Sequence, residues 1–559
     1  MTITNKLLVA KRWEYIVPVL AIASLLVSCL IVSSRKFFWN DELYSYYFLS
    51  DPSFTHMLGA FHDKINNTPP LYFLLGWLWA RVFGSTELSL RLFSSLGMCL
   101  ACTIVWIVLR RTYSFWPASI GTLGVFCVSD IILSQNAEAR MYGLFLALCS
   151  LALLQFDTNN RISNSSWKTF FSNACIQAAI VNTHLFGLFY GIAILLSQII
   201  RDRYFKTFRP KIYLAMVIGW TSLILYIPSF LNQSDAGNPR TWIPVPLLKD
   251  LTDFLSLSLS SFSNLVILLV LLVISGFQFL LYQTNRTHLS QIDQQEQPNL
   301  NTEIPLLVFA YSFLVVPLVA WILSRTVKPI FIDRYMIPSA LSWSILLAYL
   351  SSRIINSAFI RTKLPEISRK SSFLKFTQRA IFLIILTSVL LIQPISYAKN
   401  YRKSSIPGLN DNKYGYKELP VVTQSSAQFI ERLYYSPERD RYFFILDWEA
   451  ALDKASGLFS PQEYKHLDAL NRKYPNLFQN HIVKSEDFLN MHNRFLVLDY
   501  ADYQKKCPLE VKGLEKARRW EDMHCPQWVE MRLLSNSYYK VTHLGDIYGE
   551  ALLLVEKQK

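Results

Sequence analysis

Charge is what this sequence has least of. Of its 559 residues only 17% are Asp, Glu, Lys or Arg, where soluble domains carry roughly 25%. Hydrophobic residues make up 52% and aromatics 14%, and mean hydropathy is +0.24. Such a composition excludes a disordered chain, a collagen, a coiled coil and an ordinary soluble enzyme. Metal-site cysteine motifs are also missing. There are eight cysteines, and Cys29, Cys99, Cys102, Cys127, Cys149 and Cys175 fall in apolar runs, where Cys behaves as a small hydrophobe. No CxxC or paired Cys/His spacing suggests zinc. The first apolar run has no small-residue cleavage site, so it reads as a retained anchor. No internal repeat of the kind many transporters show is visible.

A net charge of +15 suggests a nucleic-acid partner until it is mapped. Residues 398–559 hold 24 basic and 22 acidic side chains, while residues 1–397 hold 31 and 18. The excess therefore lies between apolar runs, where a topology signal lies. A multi-pass membrane protein with basic cytoplasmic loops explains it; nucleic acid does not.

A spanning helix needs about 20 mostly apolar residues. Eleven such runs begin near Tyr15, Leu88, Trp116, Met141, Phe170, Leu185, Ile212, Leu265, Pro305, Pro338 and Ala380. A further run, 70–84, is short and reads as non-crossing or re-entrant. With the N-terminus inside, the inner loops include Arg110 and Arg111, 201–211 and 353–379, giving 20 basic residues inside and 11 outside. The tail then lies outside, as does a long first loop, 34–87, with a short interfacial helix over 51–63. A break near Thr183 divides one long run into two helices. The Gln/Asn-rich stretch 283–303 reads as a connector.

From residue 398 onward the composition becomes that of a soluble domain. Residues 421–433 and 460–474 read as helices, and 442–447, 495–499 and 551–555 as buried strands, which suggests a small α/β unit. Outside the cytoplasm Cys507 and Cys525 form a candidate disulfide; two unpaired structural thiols are the other reading, since spacing does not fix pairing.

Chemistry concentrates at the outer ends of the helices. Asp41 and Glu42 follow the first run by a few residues; a carboxylate there suits a general base, a cation ligand or a helix cap. Glu138 and Arg140 sit at a helix junction, as a pathway pair or as a cap with a snorkelling arginine. His184 suits acid–base or ligand work or a structural helix end. Lys328, Arg334 and Tyr335 lie in an outer loop, where Arg offers a fork for phosphate or an interfacial anchor. Asn67-Thr68-Pro69-Pro70-Leu71-Tyr72 leads by two prolines into the short run. All fall on one side of the membrane beside an apolar interior, as a substrate with a lipid tail and an anionic head requires.

The order of these motifs resembles the membrane glycosyltransferases of the C-type fold. It joins an acidic pair, TPPLY, Gly84, Glu87-Leu88-Ser89-Leu90-Arg91, EARMY, THLFGLF and DRYMIP. More narrowly, it is similar to the protein mannosyltransferase-like group, glycosyltransferase family 39 and bacterial relatives that include aminoarabinose transferases. The resemblance covers about residues 10–400. It implies a polytopic α-helical fold of about 11–13 spans with a small α/β tail, a bacterial plasma-membrane location, and an extracytoplasmic site and tail. It also implies transfer of a hexosyl or pentosyl group, with inversion, from a polyprenyl-phosphate sugar to a glycan, lipid or protein acceptor. By motif, Asp41 resembles the general base and Glu42 its positioning neighbour. Glu138 and Arg140 match a second acidic/basic site; His184, Arg334, Tyr335 and more weakly Lys328 match the donor-phosphate region. No cofactor is certain; a divalent cation would fall to Asp41 and Glu138. Thr68 stands where mannosyltransferase members often carry His before the paired prolines, and no separate glycan-binding module follows. Both differences point to a bacterial relative and leave the acceptor open. A lipid-linked substrate transporter or flippase with a soluble sensor domain is the alternative from another class.

Overall fold

The computed structural model describes residues 11–161, 166–237, 243–255, 300–356, 369–452, 462–500, 528–547 and 549–558. Helices build the N-terminal two thirds. Arg12–Ser33, Glu87–Thr112, Pro210–Gly237 and Thr302–Thr326 are each long and apolar enough to cross a bilayer, and a fifth span, Phe115–Phe126 with Asp130–Asn136, is bent by 66° at its break. Other expected runs form Tyr142–Arg161, Trp167–Thr183, Gly187–Tyr204, Ala340–Asn356 and Arg369–Asn400. By length and composition, then, four or five spans qualify among the described residues, against the eleven expected. Two of the remainder are only 17 residues long, and others carry buried polar ends such as Asp157, Asn159 and Asp202. The run near Leu265 and most of the 283–303 connector lie outside the described residues, as do Cys507 and Cys525.

The break near Thr183 is real: one helix ends at Thr183 and the next starts at Gly187. The interfacial helix is Phe54–Phe61. The short run forms Leu71–Phe83, 13 residues or about 20 Å at 1.5 Å per residue, too short for a bilayer core of roughly 30 Å.

Glycines set the closest helix contacts, as membrane helices favour. A Cβ on Gly143 would stand 2.0 Å from the Ser94 carbonyl oxygen, and one on Gly97 2.4 Å from the Gly143 carbonyl carbon. Helices Glu87–Thr112 and Tyr142–Arg161 therefore touch backbone to backbone. Gly121 does the same against Ser344, at 2.5 Å.

Ion pairs gather at one end of the bundle. Arg110 grips Glu14 at 2.8 Å, Asp157 takes Arg111 and Arg161, Asp202 takes Arg201 and Arg209, and Glu303 takes Arg353 at 2.5 Å. These are the basic loops expected inside. The outer loops and the tail occupy the other end.

The tail is a six-stranded sheet in the order β3-β2-β1-β4-β6-β5. Its strands are β1 Val421–Thr423, β2 Tyr442–Leu446, β3 Ile482–Lys484, β4 Arg494–Tyr500, β5 Tyr539–Ile547 and β6 Glu550–Lys557. β1 pairs in parallel with β2 and β4, β2 with β3, and β6 runs antiparallel to β4 and β5. The expected α/β character holds, but 421–433 is not one helix. Val421–Thr423 is a buried central strand, as its β-branched residues favour, and the helix begins at Ser426.

Gly143→Ala is expected to destabilise the protein by about 1–3 kcal/mol through backbone overpacking. Gly59→Ala, at a helical site with nothing within 4 Å, should be neutral or stabilise by up to about 1 kcal/mol. Thermal unfolding in detergent distinguishes them; equal effects would refute the close helix contact.

Candidate active site

A buried ion pair fixes the outer surface. Glu42 and Arg91 both have 0% side-chain exposure. Arg91 Nε donates to Glu42 Oε1 and Nη2 to Oε2, each at 2.8 Å. Its Nη1 donates to the Lys36 carbonyl at 2.6 Å and Nη2 to that of Phe37 at 2.9 Å. Glu42 also accepts the Ala139 N–H at 2.8 Å and the Trp39 N–H at 3.3 Å. The helix Asn40–Leu49 is thus capped by Glu42 in the third position, in the manner of a capping box. Asp41, considered for that role, is left with its carboxylate turned elsewhere.

That carboxylate meets two guanidinium groups. Arg334 Nη2 lies 3.1 Å from Asp41 Oδ2, and Arg140 Nη2 lies 3.8 Å from it. Arg140 Nη1 donates to the Asp41 carbonyl and to Ser45 Oγ, both at 3.1 Å, while its buried Nε has no partner. Arg334 Nε donates to Tyr142 OH at 3.0 Å, and its guanidinium lies 5.3 Å from the Trp39 ring centre. Second contacts hold the cations. Ser94 Oγ donates to the Arg140 carbonyl at 2.7 Å. Ser95 Oγ donates to Asn136 Oδ1, whose amide reaches the Leu25 carbonyl, both at 2.9 Å. Arg334 and Tyr335 ride on the short turn Asp333–Ser339, tied down by Tyr190 OH on the Met336 carbonyl at 2.9 Å.

Asp41, Arg140, Arg334 and Tyr335 line one cavity of about 370 Å³. Trp39, Asn40 and Tyr44 from the same helix region, and the loop Ile65 to Thr68, extend the wall. The tail closes it with Ser425, Ser426 and Glu431 from one helix region and Gln462, Glu463 and His466 from another.

The other expected residues stand elsewhere. Glu42, Glu138, His184 and Lys328 are not among the lining residues. Glu42, expected to help position acceptor or base, is sealed against Arg91. Glu138 takes the Lys36 ammonium at 3.0 Å. His184 is buried behind Tyr335, ring centres 4.8 Å apart, and stacks on Phe145 at 5.2 Å. Its Nδ1 accepts the Phe186 N–H at 3.1 Å, which makes it an uncharged positioning group. Lys328 is exposed. Asp41 and Glu138, the candidate cation ligands, are each engaged by a basic side chain, and no cluster of three or more His, Cys, Asp or Glu occurs among the described residues.

Sequence reasoning missed Tyr44, Asn66 and the whole tail wall. Asn67 and Thr68 lay in a stretch already singled out. The tail residues sit on amphipathic helices with no motif, so only docking reveals them. Tyr435 OH accepts the Phe38 N–H at 2.7 Å and bonds Glu87. Tyr474 OH donates to Asp51 at 3.1 Å, and Arg472 pairs with Asp63 at 3.0 Å. Rings interleave at Tyr46–Tyr434, 5.0 Å, and Tyr47–Phe478, 5.2 Å. Docking buries Glu431, and burial lifts its carboxyl to about 7 against the pull of Arg432. Glu550 rises to about 7 for the same reason.

No family model matches the chain, and no curated protein does. Among solved structures it is similar to ArnT from Cupriavidus metallidurans bound to undecaprenyl phosphate. The identity is 12%, the TM-score 0.50, and the match covers 98% of each chain. The chain therefore shares the fold of that structure, with the expected α-helical N-terminal part and C-terminal sheet domain.

Arg91→Ala leaves Glu42 buried without its partner and should cost about 3–5 kcal/mol. Arg91→Lys should recover only part, because Lys lacks the fork. Thermal stability in detergent measures both, and a fully stable Arg91→Ala would show the pair to be dispensable. The pH dependence has a definite sign. Carboxyls raised from 4.5 to about 7 keep their proton in the folded state where the unfolded chain has lost it, so their contribution is complete below about 4.5 and gone above about 7. Melting temperature should fall as pH rises from about 4.5 to 7 and level off beyond, and Glu431→Gln with Glu550→Gln should flatten that slope.

Proposed function

We propose that the protein is an inverting glycosyltransferase of a bacterial plasma membrane, taking a sugar from a polyprenyl-phosphate donor to an extracytoplasmic acceptor. The observation that supports this reading best is the single carboxylate of Asp41 held by two guanidiniums in a cavity closed by both halves of the chain. The fold shared with a structure that holds undecaprenyl phosphate supports the lipid phosphate as the donor's anchor. Burying a long polyprenyl chain along apolar helices contributes roughly 0.8 kcal/mol per CH₂, so the reaction belongs at the membrane surface. The paired basic loops at the far end support a cytoplasmic position for that end, with Asp41 and the tail outside.

In this mechanism the donor phosphate takes Arg334 and Arg140, which present planar donors suited to it. Arg334 leaves Asp41 as it does so, and the freed carboxylate accepts the proton of the acceptor hydroxyl. The acceptor oxygen bonds the anomeric carbon as its bond to the phosphate oxygen breaks, with inversion. Negative charge grows on the phosphate and is met by fixed cations; polyprenyl phosphate leaves. Tyr142, through its bond to Arg334, and His184, behind Tyr335, hold the phosphate-binding groups in place.

Asp41→Asn is near-isosteric and should keep the fold, yet lower turnover by about 10²–10⁴-fold as expected for a lost general base. Arg334→Ala should weaken use of donor more than use of acceptor. Release of polyprenyl phosphate from a panel of polyprenyl-phosphate sugars, in nanodiscs with varied acceptors, measures both. Full turnover by Asp41→Asn would remove the base assignment.

A further inference from the structure

The cavity has two chemically different walls. The wall from the helical part carries the cations, Arg140 and Arg334. The wall from the tail carries Glu431 and Glu463 with Gln462, Ser425, Ser426 and His466. Among the described residues, the tail supplies no Lys or Arg to this lining. The nearest ammonium groups in sequence are turned away: Lys64 and Lys465, each beside a lining residue, both point to Asp235, at 2.5 and 3.2 Å. Between the walls lie Asn40 and Asn67, whose side-chain oxygens are buried without a partner, as is the Trp39 indole nitrogen.

We propose that the tail wall is the acceptor subsite and that it takes a neutral, hydroxyl-rich group, a saccharide or polyol, rather than an anionic one. This rests on the transferase reading above and goes beyond it by naming the acceptor's chemistry. Carboxylates accept from hydroxyls, carboxamides both accept from them and donate to them, and the unpartnered oxygens of Asn40 and Asn67 have only acceptor capacity to offer. A phosphorylated or carboxylated acceptor meets Glu463, with Glu431 and the unpartnered amide oxygens beside it, and among the described lining residues finds cations only in Arg140 and Arg334. Like charge at a partly buried contact is unfavourable, so the wall selects against anions as well as for hydroxyls. The cavity volume, about 370 Å³, lies in the range of roughly 300–1,000 Å³ of small-molecule sites.

The wall is rigidly mounted. Glu463 accepts the Ser426 N–H at 3.3 Å, joining the two tail helices. His466 is pinned to the Lys64 carbonyl and to Gln462, the latter at 3.2 Å. Tail residues therefore determine which acceptor fits, while the residues around Asp41 perform the transfer.

The test is ligand-observed NMR on the full-length protein in nanodiscs saturated with undecaprenyl phosphate. The probes are maltose and N,N′-diacetylchitobiose against glucose 6-phosphate. Binding of a neutral disaccharide, weakened tenfold or more by Glu463→Gln or by Glu431→Gln, with weaker or no binding of glucose 6-phosphate, is the expected result. Glu431→Gln serves where loss of the Glu463 tie to Ser426 harms folding. Tighter binding of the phosphorylated sugar, no binding of either disaccharide, or disaccharide binding unmoved by both variants overturns the proposal. A separate arm measures undecaprenyl phosphate itself on wild type and Arg334→Ala. Failure there counts against the donor reading, whatever the saccharides do.

Discussion

The Glu42–Arg91 pair is the constraint on which the outer surface depends. Two charges are fully removed from water, which is tolerable only when geometry is good and the remaining lone pairs and protons are satisfied. Both conditions hold: the pair is bidentate, Arg91 spends its other hydrogens on two backbone carbonyls, and Glu42 takes two backbone N–H groups. Those contacts join three separate stretches of chain: the exit from the first helix, the start of Glu87–Thr112, and the junction before Tyr142. Successive residues on a helix point about 100° apart, since a turn holds 3.6 residues. With Glu42 locked inward, Asp41 has to face the cavity. Adjacent carboxylates thus divide the work, one building the site and one facing it.

The tail completes that site instead of hanging from it. Helices Ser426–Tyr435 and Gln462–Lys473 lay their inner faces over the first outer loop. Hydrogen bonds, an Arg–Asp pair and interleaved rings hold them there. Closure limits water around Asp41, Arg140 and Arg334, and electrostatic interactions strengthen as water is excluded.

Much of this was legible in the sequence because it depends on local signals. Hydropathy located the runs, the short 70–84 helix and the break near Thr183. Asp41, Arg140, Arg334 and Tyr335, nearly 300 residues apart in sequence, do converge. Other parts depend on partners that no spacing reveals. Arg91 stood in a quoted motif, yet nothing local says that it holds Glu42. Trp167–Thr183 and Ala340–Asn356 are helices where the hydrophobic runs put them, at 17 residues each. β1 has three residues, fewer than a period-2 pattern needs before a following amphipathic helix masks it. β5 was missed because its residues are mostly only partly buried or exposed, so no apolar run marks it.

The balance of charge in the cavity implies an order of events. At its helical wall two guanidiniums face one carboxylate, and Arg140 keeps a buried N–H unbonded. A buried donor without a partner costs roughly 1–3 kcal/mol, so this wall gains by receiving an anion. The tail wall has the opposite character and gains nothing from one. A donor phosphate therefore has one place to go, and its arrival competes for the arginine that holds Asp41. In the proposed mechanism the base is released when the donor is seated and held when it is not. An enzyme built this way has reason to bind donor first, because the acceptor's proton has no free carboxylate to go to until the phosphate has taken Arg334.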